Sequence, residues 1–306
     1  TLFPYTTLFR SRVLTPSDDP VASARALVVT QSKEVNQRYL ENQGRATEQL
    51  NLVEGTLTSL TNLMQNILDR TIQAGNGTLG DANRQQIARE FRQRYDEMSA
   101  LANTQDGEGN YIFAGNKTST QPFPAANTAN APAGAPVPGV IMPGATVTPP
   151  DAPGEYAGDG DRRMLQVEAG RVMSVSEPGS DVFMRIRDKN GNVTNESVFT
   201  TLGNFIESLE TTPYDASGYN ATLTKLQATL DNTSRIRTSV GARLSELESL
   251  QATAEDRDIQ YQSTLSGLQD LDYAGAISKL SQQQILLEAA QKSFLNITAL
   301  GLFKQL

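Results

Sequence analysis

The side chains of this chain that could do chemistry are carboxylates, because it contains no histidine and no cysteine. Ser-His-Asp and Cys-His nucleophile systems are therefore excluded, and with them the commonest general base. Disulfides, thiolate ligands and imidazole ligands are excluded on the same ground. What remains is paired-carboxylate hydrolysis or an oxygen-ligated cation. Asp18 and Asp19 stand side by side in Thr15-Pro16-Ser17-Asp18-Asp19-Pro20. Asp159-Gly160-Asp161 and Asp188-Lys189-Asn190-Gly191-Asn192 have the spacing of short cation loops. Glu246 and Glu248 lie among Ser and Leu, and Asp270 and Asp272 flank Leu271.

Each of these has a plainer structural reading. Acids just before a proline start a helix: Ser17 or Asp18 is expected to cap, with Pro20 in the first turn. The Asp188–Asn192 stretch lacks the flanking helices and closing Glu of a calcium loop, whereas Asn190-Gly191 is a strong hairpin turn. Glu246 and Glu248 belong on a solvated helix face, and Asp270 to Gly275 reads as a hinge between helices. No catalytic residue, cofactor or metal site is assigned, and the chain reads as a non-enzyme. It carries 26 basic and 34 acidic residues, a net charge of −8. No basic block stands out, so no nucleic-acid partner is expected. No apolar run reaches the roughly 18 residues of a membrane span, so no membrane partner is expected either.

The elements that must position anything here are long helices at both ends. Leu50, Val53, Leu57, Leu60, Met64, Ile67 and Thr71 alternate spacings of three and four, a heptad seam. Gly75-Asn76-Gly77 is expected to end that helix with a left-handed cap. Asp81 or Asn83 starts a second one, with Ile87, Phe91, Met98 and Leu101 on one face, giving a helical hairpin. At the other end Leu244, Leu247, Leu250 and Ala254 continue through Leu265, Leu268 and Leu271 to Ile277, Leu280, Ile285, Phe294 and Ile297. That stripe is too narrow for a core of its own and must lie against a partner stripe.

Between the helical ends the pattern changes. Tyr111–Gly115 reads as a short buried strand. Nine of the fourteen prolines fall between Pro122 and Pro153, which reads as loop or edge material. Arg163–Val167 and Arg171–Val175 form a hairpin around Glu168-Ala169-Gly170, and Val182–Arg187 leads to another turn. Helical pattern resumes at Phe199–Leu209. The predicted class is α+β: a long antiparallel helical bundle or coiled coil formed by both termini, with an inserted small β-rich domain. Residues 13–108 and 200–306 make a discontinuous helical core, and 109–199 make the insertion. Residues 1–12 crowd Leu2, Phe3, Tyr5, Leu8 and Phe9 without helical continuation and read as a tail foreign to the rest of the chain. A clipped signal peptide fits less well, because a proline interrupts the apolar stretch and no basic segment precedes it.

Four blocks resemble the bacterial flagellin superfamily: Pro16-Ser17-Asp18-Asp19-Pro20-Val21-Ala22; Leu52-Val53-Glu54-Gly55 with Ala74-Gly75-Asn76-Gly77-Thr78; Gly109–Gly115 followed by Pro122-Phe123; and Asp270–Ala274 with Ile277-Ser278-Lys279-Leu280. The third block and the Leu302-Phe303 ending look like the hook–filament junction branch more than flagellin itself, which stays the alternative. The resemblance implies a secreted structural protein of the flagellum, exported unfolded by the type III apparatus. Its implied partners are neighbouring copies, hook-associated protein 1, flagellin and an export chaperone. It also implies a family helix before Val13 that pairs with the C-terminal one and carries export information. From the residues themselves, the candidate core seam is Leu50, Val53, Leu57, Leu60, Met64, Ile67, Leu244, Leu247 and Leu250. The candidate assembly interface is Leu300, Leu302, Phe303 and Leu306, apolar and uncovered at the end of the chain.

Overall fold

The computed structural model describes residues 19–124, 156–184, 192, 197–211, 214 and 216–299. Residues 1–12, Ser17, Asp18, most of the proline-rich stretch, the turn at 188–191 and all four candidate interface residues from Leu300 onward lie outside them. The elements are α1 (Pro20–Ala74), α2 (Asp81–Ala102), β1 (Met164–Glu168), β2 (Arg171–Ser174), α3 (Val198–Glu210), α4 (Tyr219–Gln269) and α5 (Tyr273–Ala299). The class is α+β, with long helices from both ends of the chain and one small two-stranded antiparallel sheet among the described residues. By contacts the chain divides into two units, residues 39–252 and residues 1–38 with 253–306.

In the larger unit α1 buries every step of its heptad from Ala46 through Leu50, Val53, Leu57, Leu60, Met64 and Ile67 to Thr71 and Ala74. The period of 3.5 keeps these side chains on one stripe. They join a core with Leu226, Ile236, Val240 and Leu247 of α4, which shows the same spacing. Arg237 of α4 reaches Glu54 of α1 at 2.7 Å beside this seam. Phe91 of α2 meets Phe205 of α3 edge to face, with centroids 5.2 Å apart. A second aromatic group packs Phe113, Phe123, Tyr156, Phe183 and Phe199 around shared edges.

Local structure departs from the sequence expectation in four places. First, at the helix start, whose expected caps Ser17 and Asp18 lie outside the described residues, a residue the sequence reading did not name takes part: Asp19 Oδ1 accepts from the Ala22 amide at 3.0 Å, while Pro20 takes the first helical position as expected. Second, α1 ends at Ala74 as expected, but no residue of Gly75-Asn76-Gly77 is left-handed. Of the terminal carbonyls, Thr71 O and Gln73 O accept from the Gly75 and Asn76 amides and Ala74 O from Arg84, which also donates to Asn76 O and Leu79 O of the following turn. Gly75 is needed for space, since a Cβ there would strike the Tyr219 ring.

Third, Tyr111–Gly115 is buried but is not a strand. Gln105 and Tyr111 make an isolated bridge, and turns follow. The backbone groups of Tyr111, Ile112, Phe113 and Ala114 pair with Thr118, Thr104, Gly179 and Asp159, so no single neighbouring strand exists to form a ladder. Fourth, where Val182 was to start a strand, residues Ser180–Met184 form a π-helical turn. Its amides at Asp181 and Val182 fold back onto Pro178 O, placing Phe183 among the rings. The hairpin is as expected to within a residue, and Gly170 turns it with φ +75°.

Candidate assembly surface

The smaller unit contains the described part of the chain with the most exposed apolar surface. Asp272 Oδ1 accepts from the Gly275 amide at 3.2 Å and starts α5, which then runs for 27 residues. Ile277, Leu280, Ile285, Leu286, Leu287, Phe294, Leu295 and Ile297 of this helix are all 55–70% exposed. Val21, Leu27 and Val28 at the start of α1 are similarly uncovered. Consecutive positions such as Leu286 and Leu287 point apolar groups to more than one side, so a single stripe on one neighbour would not cover them. Exposed apolar side chains in this number make α5 a candidate interaction surface.

The residues expected to form the seam divide by burial. Leu50, Val53, Leu57, Leu60, Met64, Ile67 and Leu247 are buried, while Leu244 and Leu250 are half-buried against the same core. The seam of the larger unit does not continue as an apolar one in the smaller. Among the described residues of that unit the buried positions are Ala22, Ala26, Ala254 and Asn36, and Asn36 Nδ2 donates to Ala254 O at 2.7 Å. Leu265, Leu268 and Leu271 are half-buried.

Three of the carboxylates with the spacing for chemistry hold local structure, while Asp18 and Asp188 lie outside the described residues. Asp159 Oδ1 accepts from the Asn116 and Asp161 amides. Asp270 accepts from Ser266 Oγ at 2.5 Å. Glu246 pairs with Arg171 of the hairpin. No group of three or more potential metal ligands, and no helix long and apolar enough to cross a membrane, is found among the described residues. The loop acid Asp106 holds its turn by accepting from the Glu108 and Asn110 amides. Burial alone would raise its pKa, but those bonds and the Arg163 charge together hold the carboxyl below its ordinary value.

Three polar centres carry no periodic signal and escaped the sequence reading. Glu177, 3% exposed, is gripped by Arg162 at 3.1 Å and by Arg243 of α4, and Arg162 also takes Asp181 at 2.8 Å. Arg243 further donates to Ser174 O at 2.8 Å, so this knot fastens β2 to α4. On the other strand, Asn42 and Gln43 of α1 donate to Gln166 O and Val167 O, occupying carbonyls of an otherwise open edge. The Tyr156 hydroxyl donates toward Phe113 O and Asp159 O and accepts from the Gly179 amide. Burial pushes that phenol up to about 12. The third centre is Arg84, which besides capping α1 stacks 3.9 Å from the Tyr214 ring.

Comparison with known proteins agrees with this architecture. The family model for the bacterial flagellin N-terminal helical region matches residues 11–118. The flagellar hook-associated protein 3 of Escherichia coli K12 is 31% identical over 96% of this chain and 88% of its own length. That of Salmonella typhimurium LT2 is 30% identical, again over 96% of this chain and 88% of its own length. Among solved structures, a putative flagellar hook-associated protein from Vibrio parahaemolyticus is similar with a TM-score of 0.66 at 22% identity, over 83% of this chain and 100% of its own. Hook-associated protein-3 from Legionella pneumophila gives 0.65 at 20% identity, over 79% and 98%. With paired terminal helices, a small hairpin-bearing insertion and near full-length relatives of one name, this chain belongs to the flagellar hook-associated protein 3 family of the flagellins.

Proposed function

We propose that this protein is a non-enzymatic adaptor at the extracellular hook–filament junction, joining hook-associated protein 1 on one side to flagellin on the other. The observation that carries this reading is α5, whose apolar side chains from Ile277 to Ile297 are 55–70% exposed. Such a helix gains stability by burying its side chains on assembly. In this reading neighbouring copies and flagellar partners supply the cover, an export chaperone shields the helix beforehand, and Leu300, Leu302, Phe303 and Leu306 extend the same surface. Residues 13–108 and 200–306 act as the assembling core, and 109–199 as the inserted domain.

The test is complementation of a strain whose own junction protein is deleted. The parent chain restores motility and filaments attached to hooks. A variant with Ile285, Leu286 and Leu287 replaced by Ser, still folded by circular dichroism and still exported, leaves hooks bare and releases flagellin into the medium. Normal filaments from that variant would remove α5 from the assembly surface. Filaments grown from this chain alone would make it a flagellin.

A further inference from the structure

We propose that Asn76 is a self-modification site: the turn between α1 and α2 converts this asparagine to aspartate and isoaspartate, and Thr78 assists the step. Asn76 and Asn190 are the asparagines that a glycine follows, and Asn190 lies outside the described residues. Asn76, Gly77 and Thr78 are all exposed. In the reaction the Gly77 amide nitrogen attacks Asn76 Cγ. A bond forms between those two atoms, the Cγ–Nδ2 bond breaks, and ammonia leaves carrying the proton of the Gly77 amide. Water then opens the resulting succinimide at either carbonyl, giving aspartate or isoaspartate, so no oxidant or reductant is needed.

Three features of the turn suit this chemistry. The Gly77 amide donates no hydrogen bond among the described residues, so the nucleophile is free. Nothing lies within 4 Å of where a Cβ would stand on Gly77, so its approach is unhindered. The leaving nitrogen is free as well. Asn76 Nδ2 donates to no described residue, whereas Nδ2 of Asn36, Asn42, Asn103 and Asn232 is tied to a main-chain carbonyl. The carbonyl oxygen, by contrast, is held. Asn76 Oδ1 accepts from the Thr78 amide at 3.1 Å and from the Thr78 hydroxyl at 2.9 Å. That oxygen gains negative charge as the tetrahedral intermediate forms, so both donors bind it more strongly there than in the starting amide. The hydrogen bonds that attack would have to break, at the nucleophile and the leaving group, are the ones this turn does not make. The product carboxylate arises beside Arg84, which donates to Asn76 O at 3.3 Å. Isoaspartate also lengthens the main chain within the turn whose carbonyls Arg84 gathers, and so loosens the joint between α1 and α2. This chemistry is independent of any role in assembly.

The test holds the folded chain at mildly alkaline pH and follows amide-to-acid conversion at position 76 by peptide mapping and mass spectrometry. The parent converts at Asn76. Thr78→Val, checked by circular dichroism to be folded, converts about tenfold more slowly, the factor that one hydrogen bond to a charged oxygen carries. Thr78→Ser, which keeps the hydroxyl, stays close to the parent rate. In urea, where the turn is gone, the parent and Thr78→Val convert at like rates, which separates help from the fold from an effect of local sequence. Equal rates for the folded parent and folded Thr78→Val, or conversion at Asn190 with none at Asn76, would overturn the proposal.

Discussion

Leu57 and Tyr156 show two kinds of residue-scale commitment, one to packing and one to hydrogen bonding. Leu57 is fully buried on the α1 seam, so Leu57→Ala removes contacts and leaves a cavity that helices cannot easily close. The expected cost is about 2–5 kcal/mol in chemical denaturation, and Leu247→Ala falls in the same range. Gln65→Ala, on the exposed side of the same helix, should change stability by less than about 0.5 kcal/mol. Tyr156 instead ties Phe113, Asp159 and Gly179 together through one oxygen. Its folded pKa is raised from the ordinary 10.0 to about 12, chiefly by burial. The folded state therefore holds the phenol proton more tightly than the unfolded state does. The resulting stability is fully present below pH 10 and is lost as pH rises through about 12. Denaturation curves recorded across that window should fall more steeply for the parent than for Tyr156→Phe.

At the scale of elements, the hairpin and α5 stand at opposite extremes. The hairpin is too small to be stable by itself, since two strands bury little. It is held by side chains around it, chiefly Glu177, just past β2, in a knot with Arg162, just before β1, and Arg243 of α4. Glu177→Ala leaves the largely buried Arg243 short of its counter-charge, and should destabilise the larger unit by about 3–5 kcal/mol. Replacing Glu177 and Arg243 together by Gln and Met should cost less than the sum of the single changes, because no charge is then stranded. Additive losses would show that the pair is not coupled. The apolar side chains of α5, by contrast, are mostly exposed. Helices without tertiary cover are marginal in water. Amide exchange in the isolated subunit should accordingly be fast across residues 277–297 and slow across 50–71, where opening requires unfolding the core.

For the whole molecule, burial is concentrated in residues 39–252, while the apolar surface available to partners is concentrated beyond 253. In the proposed reading, stability and assembly thus fall to different parts of one chain. Truncation after Asp272 should shift the main thermal transition by less than about 2 °C, because few buried contacts are lost. The same truncation should abolish hook-attached filaments in a complemented strain. A large loss of thermal stability would mean that α5 is already packed against its own chain in solution.

The heptads at both ends made the long helices legible, because a periodic apolar stripe is a local property that any helix of that sequence displays. Leu50 to Ile67 and Leu247 could be placed on buried faces for that reason, and the Glu168-Ala169-Gly170 turn came from the same local chemistry. The four family blocks pointed to the flagellins by residue type and order alone. The tertiary structure decided what depends on residues distant in the chain. Phe113 and Val182 lie in apolar runs that suit a strand, but their backbone partners sit on separate segments, so turns and a π-helical turn form instead. Arg84, Glu177 and Asn36 look like ordinary polar residues until the fold brings carbonyls or opposite charges to them. Burial makes such groups find partners, and which partner they find is a matter of topology that no local spacing encodes.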